Sequence, residues 1–179
     1  MELKTGRLLL RPLTAADAPA LAPINADPEV MRYIGEGAPR TLEQTEALCA
    51  KVAAHWDDHG WGAFAVTEQD SASGNDSGAF VGLAILATPS FLPEILPATE
   101  VGWRIARDRW GRGYAPEAAR AVIGFAFAEL GLERVVSCIH SENTASIRVA
   151  EKLGMALERE TTVPVYDVPC SVYELRTVG

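Results

Sequence analysis

Hydrophobic and polar positions alternate in some segments of the chain and recur at helical spacing in others. The succession of these segments predicts the order of strands and helices. Alternating runs rich in β-branched and aromatic residues predict strands, at about 7–13, 61–67, 79–87, 100–105, 134–139, 156–162 and 171–177. Apolar stripes at helical spacing predict helices, at about 15–24, 27–34, 41–59, 116–130 and 144–153. Pro19 and Pro23 are expected to interrupt the first of them. Elements in this order indicate an α+β domain with a mixed sheet.

The segment from Glu100 to Ala119 combines a strand, a glycine-bearing turn and the start of a helix. Gly111 and Gly113 mark the turn, and Pro116 fits the first position of a helix because no N–H donor is needed there. Such a turn leaves backbone N–H groups without acceptors, and the helix N-terminus adds a partial positive charge. The segment is therefore a candidate site for an anion, above all phosphate.

Two long loops interrupt the periodic pattern. Residues 69–78 are polar, and we expect a flexible hairpin connection there rather than a domain boundary. Residues 88–98 contain three prolines and four large apolar residues. These side chains either fold back on the core or, if exposed, suit contact with a second copy of the chain in a homodimer. Residues 1–179 are therefore expected to form a single domain.

Composition and charge narrow the function classes without changing the predicted fold. The chain has 16 basic and 24 acidic residues, for a net charge of −8. This balance disfavours nucleic acid as a partner and mildly favours cationic partners such as amines. No apolar run approaches the roughly 18 residues of a membrane span, and the N-terminus lacks a signal-peptide pattern. We therefore expect a cytoplasmic protein with no membrane partner.

Neither the cysteines nor the histidines form a convincing catalytic or metal-binding pattern. Cys49, Cys138 and Cys170 are widely spaced, so we expect reduced thiols that pack as small hydrophobic side chains. His55 and His59 lie four residues apart on one helical face, but the sequence offers them no convincing third ligand. No metal is therefore expected.

A local excess of positive charge strengthens the anion prediction for the turn. Arg104, Arg107, Arg109 and Arg112 lie within nine residues and face only Asp108. The alternative is a solvated basic turn with no ligand. The third glycine of a dinucleotide fingerprint is missing, and no lysine followed by serine or threonine completes a P-loop. If the turn binds phosphate, it uses neither of these common motifs.

The run W-G-R-G-Y-A-P-E-A, which begins at Trp110, resembles the pyrophosphate-binding loop of the GNAT superfamily of N-acetyltransferases. Gly113 and Ala115 match the last two fixed positions of the family pattern Q/R-x-x-G-x-G/A. Trp110 takes the first position, where Gln or Arg is usual, and this departure is typical of the branch related to RimJ and RimL, the N-terminal acetylases of ribosomal proteins. The opening of the chain, R-L-L-L-R-P-L and then D-P-E-V-M-R-Y, also resembles that branch.

A second motif begins at Asn143, 30 residues after Gly113, and is similar to the family signature N-x-x-S-x-x-x-x-E-K-L-G-M/F. The two motifs and the opening extend the resemblance over nearly the whole chain. It implies the GNAT fold, in which helices flank a mixed, mostly antiparallel sheet of about seven strands that is splayed at the central strand.

The resemblance implies an acyltransferase that moves acetyl from acetyl-CoA directly to a primary amine. It assigns binding of the co-substrate to Trp103, Arg104, Ile105, Gly111, Arg112, Gly113, Tyr114, Ala115, Pro116 and Asn143. It makes Glu100 the base that takes the amine proton and Ser146 the acid that protonates the departing thiolate. Many relatives use a tyrosine as that acid, but Ala150 stands in its place here.

Each of these polar residues also has a plain structural interpretation. Glu100 then is an exposed strand residue, Asn143 a helix N-cap and Ser146 a first-turn serine, and the thiolate leaves unassisted or takes its proton from water. The alternative function is a non-catalytic acyl-CoA-binding sensor or regulatory protein. Four kinds of acceptor remain open: a protein N-terminus, a polyamine, an amino acid or an aminoglycoside-type amine.

Overall fold

The computed structural model describes residues 1–69 and 78–177, so the predicted polar loop lies almost wholly outside the described residues. Within these ranges the strands are β1 Leu3–Lys4, β2 Leu8–Pro12, β3 Phe64–Glu68, β4 Phe80–Ala87, β5 Glu100–Ile105, β6 Arg134–His140, β7 Ala156–Val163 and β8 Val168–Arg176. The α-helices are α1 Ala18–Ala26, α2 Pro28–Met31, α3 Leu42–His59, α4 Tyr114–Ala128 and α5 Thr144–Lys152. Short 3₁₀ helices lie at Ala15–Asp17, Pro93–Ile95 and Arg107–Arg109.

The eight described strands join one sheet in the order β1-β2-β3-β4-β5-β6-β8-β7. Neighbouring strands are antiparallel except β5 and β6, which run parallel. β5 pairs with β4 along its whole length, but it pairs with β6 only where Glu100 lies beside Val136. The sheet is therefore splayed at its centre. The strand beyond the seven predicted is β1, whose two residues are too few for an alternating pattern.

Helices cover both faces of the sheet. α4 lies on one face, where Val122 joins Val101 and Ile105 in the largest apolar cluster. α1 and α3 lie on the other face, where Leu21 of α1 joins Leu83 of β4 in a second cluster. This arrangement buries one stripe of each helix against the sheet, and it confirms the predicted α+β class with a mixed, mostly antiparallel sheet.

Two helices differ from the predictions at their prolines. α4 begins at Tyr114, so Pro116 is its third residue and not its first. The N–H groups of a first helical turn have no acceptor within the helix, and proline is therefore tolerated there too. α1 continues through Pro23, where the proline predicts an interruption. Burial of Leu21 and Ile24 against the sheet stabilises this helix despite the one missing N–H.

The longest helix, α3, has the ends that its sequence predicts. The Thr41 hydroxyl accepts a hydrogen bond from the Gln44 amide at 3.2 Å, and Gln44 Oε1 accepts one from the Thr41 amide at 2.9 Å. This capping box satisfies two N–H groups at the helix start. Gly60 ends the helix with φ of 72°, a conformation that glycine adopts without strain.

The loop at 88–98 folds back on the protein. Leu92 is fully buried and Ile95 is 5% exposed, and both pack with Val136 and Val172 in a third apolar cluster. Leu92 and Ile95 therefore fold back on the core, whereas Leu96 is 39% exposed, so the homodimer stays a prediction. Among the described residues, no helix is long and apolar enough to cross a membrane.

Candidate active site

The basic turn connects β5 to α4. Gly111 and Gly113 adopt φ of 74° and 79°, where a side chain would cause backbone strain. Within the described part of the chain, none of the amides from 111 to 115 has a protein acceptor. These free N–H groups lie at the N-terminus of α4, which is the arrangement that binds phosphate groups.

Side chains from two distant segments of the chain hold this turn in place. Arg7 donates from Nη1 to the carbonyl oxygen of Arg112 at 2.8 Å, and its guanidinium lies 4.8 Å from the centre of the Tyr114 ring. Glu68 accepts hydrogen bonds from the Tyr114 hydroxyl at 2.7 Å and from Arg109 at 2.8 Å. Sequence reasoning missed Arg7 and Glu68 because they lie far from the turn in the chain and no local pattern marks them.

A surface cleft of about 490 Å³ lies beside the turn and carries further positive charge. It is lined by Lys4, Thr5, Arg7, Gly113, Pro116, Glu117, Arg120 and Ala121. Three of these side chains are basic, and the one acidic side chain, Glu117, is bound to Arg7. The free amides and this cleft together fit a ligand with several phosphate groups, as coenzyme A has.

The splayed centre of the sheet exposes backbone groups of β5 alternately. The Ala106 amide donates to the Val81 carbonyl at 2.9 Å, so by antiparallel alternation the even-numbered residues of β5 direct their N–H and C=O groups to β4. The backbone groups of Trp103 and Ile105 therefore face β6, which does not pair with them. The backbone groups of Arg104 face β4 and are therefore not open to a ligand. The contacts with the co-substrate that the resemblance implies for this strand are left to the backbone groups of Trp103 and Ile105.

One of these open groups already has a partner. The Trp110 indole N–H donates to the carbonyl oxygen of Ile105 at 2.8 Å. Trp110 thus ties the turn to the end of β5, while the Trp103 backbone groups and the Ile105 amide still face the opening. This contact gives a structural reason for tryptophan at the first position of the loop motif.

Glu100 lies at the closed end of the splay, where β5 and β6 meet. It is half-buried, and its Oε1 accepts a long hydrogen bond, 3.4 Å, from the Cys138 amide. Burial raises the pKa of Glu100 to about 7, and this hydrogen bond offsets only part of that effect. A carboxyl group with such a pKa is well suited to accept a proton near neutral pH.

Asn143 and Ser146 lie at the N-terminus of α5, which follows the end of β6. The Asn143 side chain accepts a hydrogen bond from the Ser146 amide at 3.1 Å, which is the predicted N-cap. Ser146 is half-buried. Because β5 and β6 run parallel, the helices that follow them begin at the same edge of the sheet. The structure thereby places the two sequence motifs on either side of the opening.

The segment that follows α2 contacts two distant parts of the chain. The rings of Tyr33 and His140 have centroids 4.9 Å apart, so the segment after α2 contacts the end of β6. A Cβ placed on Gly35 would lie 3.9 Å from the Tyr166 hydroxyl, so the β7–β8 turn also approaches this segment. Sequence analysis did not identify these contacts, which join parts of the chain more than a hundred residues apart.

The histidine pair has a packing role in the structure. His55 and His59 stack with ring centroids 4.2 Å apart, and both pack edge-on against Trp61. Among residues 1–69 and 78–177, no cluster of His, Cys, Asp and Glu side chains is arranged to hold a metal ion. The three cysteines are free thiols, with Cys49 and Cys170 buried.

Comparison with known proteins agrees with this geometry. The acetyltransferase (GNAT) domain family matches residues 7–156. The FsC-acetyl coenzyme A-N(2)-transacetylase of Aspergillus fumigatus is 33% identical over 177 residues, which are 93% of this chain and 69% of that protein. The crystal structure of an acetyltransferase from Agrobacterium tumefaciens superposes with a TM-score of 0.80 at 30% identity, over 99% of this chain and 95% of that one.

The predicted relation to ribosomal-protein acetylases is visible in the fold. RimL, a ribosomal alpha-N-protein acetyltransferase solved in complex with coenzyme A, superposes with a TM-score of 0.77 over 98% of both chains, at 16% identity. The free amides of the turn, the basic cleft and the open edge of β5 fit the same co-substrate. The chain therefore belongs to the GNAT family of acetyltransferases, enzymes that use acetyl-CoA as the acetyl donor.

Proposed function

We propose that this enzyme transfers acetyl from acetyl-CoA directly to the primary amine of a small molecule, with Glu100 as the general base. The observation that carries the proposal is the position of Glu100 at the closed end of the splay, with a pKa raised to about 7. An alkylammonium group has a pKa of about 10, so most of the acceptor must lose a proton before it can attack. The Glu100 carboxylate takes that proton, directly or through a water molecule.

The proposed reaction needs three contributions from the chain. The amides of the turn and the basic cleft bind the pyrophosphate. The Trp103 amide, which faces the opening, donates a hydrogen bond to the thioester oxygen as negative charge develops there. The amine nitrogen forms a bond to the carbonyl carbon, the carbon–sulfur bond breaks, and the sulfur leaves as a thiolate that then takes up a proton.

Ser146 is the proposed source of that last proton. Ile147 and Ala150 of the same helix belong to the apolar cluster on the α4 face, whereas the Glu100 side chain lies with the even-numbered residues of β5 on the opposite face. A base and an acid on opposite faces suit a thioester held in the opening between β5 and β6. Water is the alternative proton source, and the kcat of a Ser146→Ala enzyme distinguishes between the two.

Two contacts of the segment after α2 favour a small amine over a protein N-terminus. Tyr33 joins this segment to His140 at the end of β6, and Tyr166 of the β7–β8 turn approaches Gly35. An extended peptide would require an open groove between these segments. The relative from Aspergillus fumigatus is likewise named for N-acetylation with acetyl coenzyme A.

The test is an assay of coenzyme A release from acetyl-CoA with a panel of small amines and N-terminal peptides. We expect small amines to be acetylated, with kcat/KM rising with pH through about 7 as Glu100 ionises. Glu100→Gln should lower kcat by about 10²- to 10⁴-fold. Glu133→Gln, an exposed carboxylate at the start of β6, is the matched control and should behave as the wild type.

Two results would count against the proposal. A Glu100→Gln enzyme with the wild-type rate and pH profile would remove Glu100 from the reaction. Tight binding of acetyl-CoA without acetylation of any amine would favour the alternative of an acyl-CoA-binding sensor.

A further inference from the structure

Arg104 is a buried cation that has no acidic partner in the part of the chain that the structure describes. Its residue is 6% exposed, and Nη1 donates a hydrogen bond to Oδ1 of Asn25. Its Nε is buried and has no acceptor, and no Asp or Glu forms an ion pair with it among residues 1–69 and 78–177. A buried charge is strongly destabilising unless an opposite charge compensates for it. The guanidinium is therefore expected to meet an anion that is not part of the described chain.

The surroundings hold this guanidinium in place and add to its positive potential. Asn25 is fully buried, and its Nδ2 donates to Oγ1 of Thr45 at 3.0 Å, which commits its Oδ1 to Arg104. Arg40 lies close enough to act on Arg104 as well. Burial, and after it the charge of Arg40, lowers the pKa of Arg104 to about 10, so the group stays charged at neutral pH.

The side chains of Arg104 and Glu100 lie on the same face of β5, the face on which the proposed function places the amine acceptor. Side chains alternate along a strand, so residues 100, 102 and 104 point the same way, and the Cα atoms of Glu100 and Arg104 are separated by about 13 Å along the strand. The residue between them is Gly102, which lies opposite Ile85 on β4. Both are partly exposed in the middle of the sheet, and among the described residues a Cβ on Gly102 would meet only Ile85, at 3.6 Å. Between Glu100 and Arg104, this face of the sheet therefore carries no large side chain of β5.

We propose that Arg104 binds a carboxylate of the acceptor, so the substrate is a small molecule with both a primary amine and a carboxylate, such as an amino acid or a dipeptide. The inference rests on the proposed function, because it places the amine at Glu100. Among the described residues neither Nε nor Nη2 has an acceptor, and an arginine presents these two N–H groups as a fork that matches a carboxylate. The phosphates of acetyl-CoA are a less suitable partner, since the amides of the turn already serve them.

The first experiment uses the wild-type enzyme alone. A panel of amino acids and dipeptides is assayed beside the corresponding carboxamides, which keep the amine and lose the negative charge. We expect kcat/KM for the acid to exceed that for the amide by about 10- to 100-fold, the range of a charge-assisted hydrogen-bonded pair. An acid-to-amide ratio near one would overturn the inference, and no variant needs to fold for this result.

The second experiment compares Arg104→Met with Arg159→Met. Methionine fills a similar buried volume without the charge, and Arg159 is an exposed arginine on β7 that serves as the control. Arg104→Met should reduce the acid-to-amide ratio to near one while the affinity for acetyl-CoA, measured by calorimetry, stays within about twofold. Arg159→Met should keep the wild-type ratio.

The remaining outcomes separate the two proposals. If Arg104→Met weakens acetyl-CoA binding tenfold and leaves the acid-to-amide ratio unchanged, the anion is a coenzyme A phosphate and the inference is overturned. If the wild type acetylates no amine at all, the proposed function fails, and this inference fails with it. If amines are acetylated without preference for the acid, only the inference fails.

Discussion

At the residue scale, the position that suits Glu100 to catalysis also lowers the stability of the native state at neutral pH. Its pKa is 4.5 in an ordinary environment and about 7 in the fold, so the native state binds a proton that the unfolded chain has released between these values. The stabilising effect of that proton is complete below about pH 4.5 and is lost as the pH rises through about 7.

Glu100→Gln removes this dependence, because glutamine does not titrate. Relative to the wild type, the free energy of unfolding of the variant should increase between pH 4.5 and pH 8 by about 1–3 kcal/mol. Urea unfolding of both proteins at the two pH values measures the difference. Glu133→Gln should show no such increase, and parallel behaviour of Glu100→Gln and the wild type would contradict a raised pKa.

Ser146 and Asn143 are neighbours whose functions can be separated by substitution. Asn143→Ala removes the N-cap of α5 and should lower the stability by about 1 kcal/mol. Ser146→Ala keeps the amide that Asn143 caps, so its stability should stay within about 0.5 kcal/mol of the wild type. If Ser146 protonates the thiolate, its kcat should fall by about 10- to 100-fold with KM for acetyl-CoA unchanged.

Thr144→Ala is the control for Ser146→Ala, since it removes an exposed hydroxyl from the same first helical turn. It should leave kcat unchanged. If the Ser146→Ala enzyme is as fast as this control, the departing thiolate takes its proton from water and not from Ser146.

Sequence reasoning at this scale succeeds where a residue acts on its own neighbours. The N-cap role of Asn143 follows from residue type and spacing, and the structure confirms it. The contacts of Arg7, Glu68 and Arg104 could not be predicted in this way. Each joins segments that are distant in the chain, and no local pattern records which strands come together.

At the scale of elements, the turn between β5 and α4 is the most constrained part of the site. Gly113 has φ of 79°, and apart from its chain neighbours the only described atom within 4 Å of a Cβ placed there is Nη2 of Arg7, at 3.4 Å. The open space above this backbone is where the proposed pyrophosphate lies. A side chain at this position would therefore compete with the ligand and would strain the turn.

Gly113→Ala should weaken binding of acetyl-CoA by about tenfold or more, measured by calorimetric titration. Gly131→Ala is the matched control, because Gly131 has φ of 64° after α4 and, apart from its chain neighbours, no described atom lies within 4 Å of its Cβ position. Both variants carry similar backbone strain, on the order of 1 kcal/mol. Equal loss of affinity in the two would attribute the effect to strain and not to the phosphate site.

Most elements were predictable because their periodicity and end signals agree. α3 has a capping box, an apolar stripe and a terminal glycine, and its bounds match the prediction to within one residue. α4 begins two residues before its predicted start, because proline marks the first turn of a helix but not its first residue. The 88–98 loop has no periodicity, so only the structure shows that Leu92 and Ile95 are buried.

At the scale of the whole molecule, the sheet consists of two parts that meet at one residue pair. β1 to β5 form one part and β6, β8 and β7 the other. Periodicity predicts the strands but not this division, because the hydrophobic pattern of β5 is that of an ordinary central strand. Only the resemblance to the GNAT superfamily predicts the splay.

Amide hydrogen exchange should distinguish the residues of β5 that are bonded to β4 from those that face the opening. The amides of Gly102 and Arg104 face β4 and should exchange slowly with and without ligand. The Trp103 amide faces the opening, so it should exchange quickly in the free enzyme and become protected by about tenfold or more when acetyl-CoA is bound. Equal protection of Trp103 and Arg104 in the free enzyme would contradict the splayed arrangement.

The single pair between Glu100 and Val136 has a consequence for how the enzyme responds to its substrate. A chain of atoms that enters the opening and bonds to the free edge of β5 would act as a missing strand and bridge the two halves of the sheet. Its binding energy would then be spread over the backbone of both halves. Such a ligand would raise the melting temperature of the entire protein, and product release would leave the sheet open again, ready for the next acetyl donor.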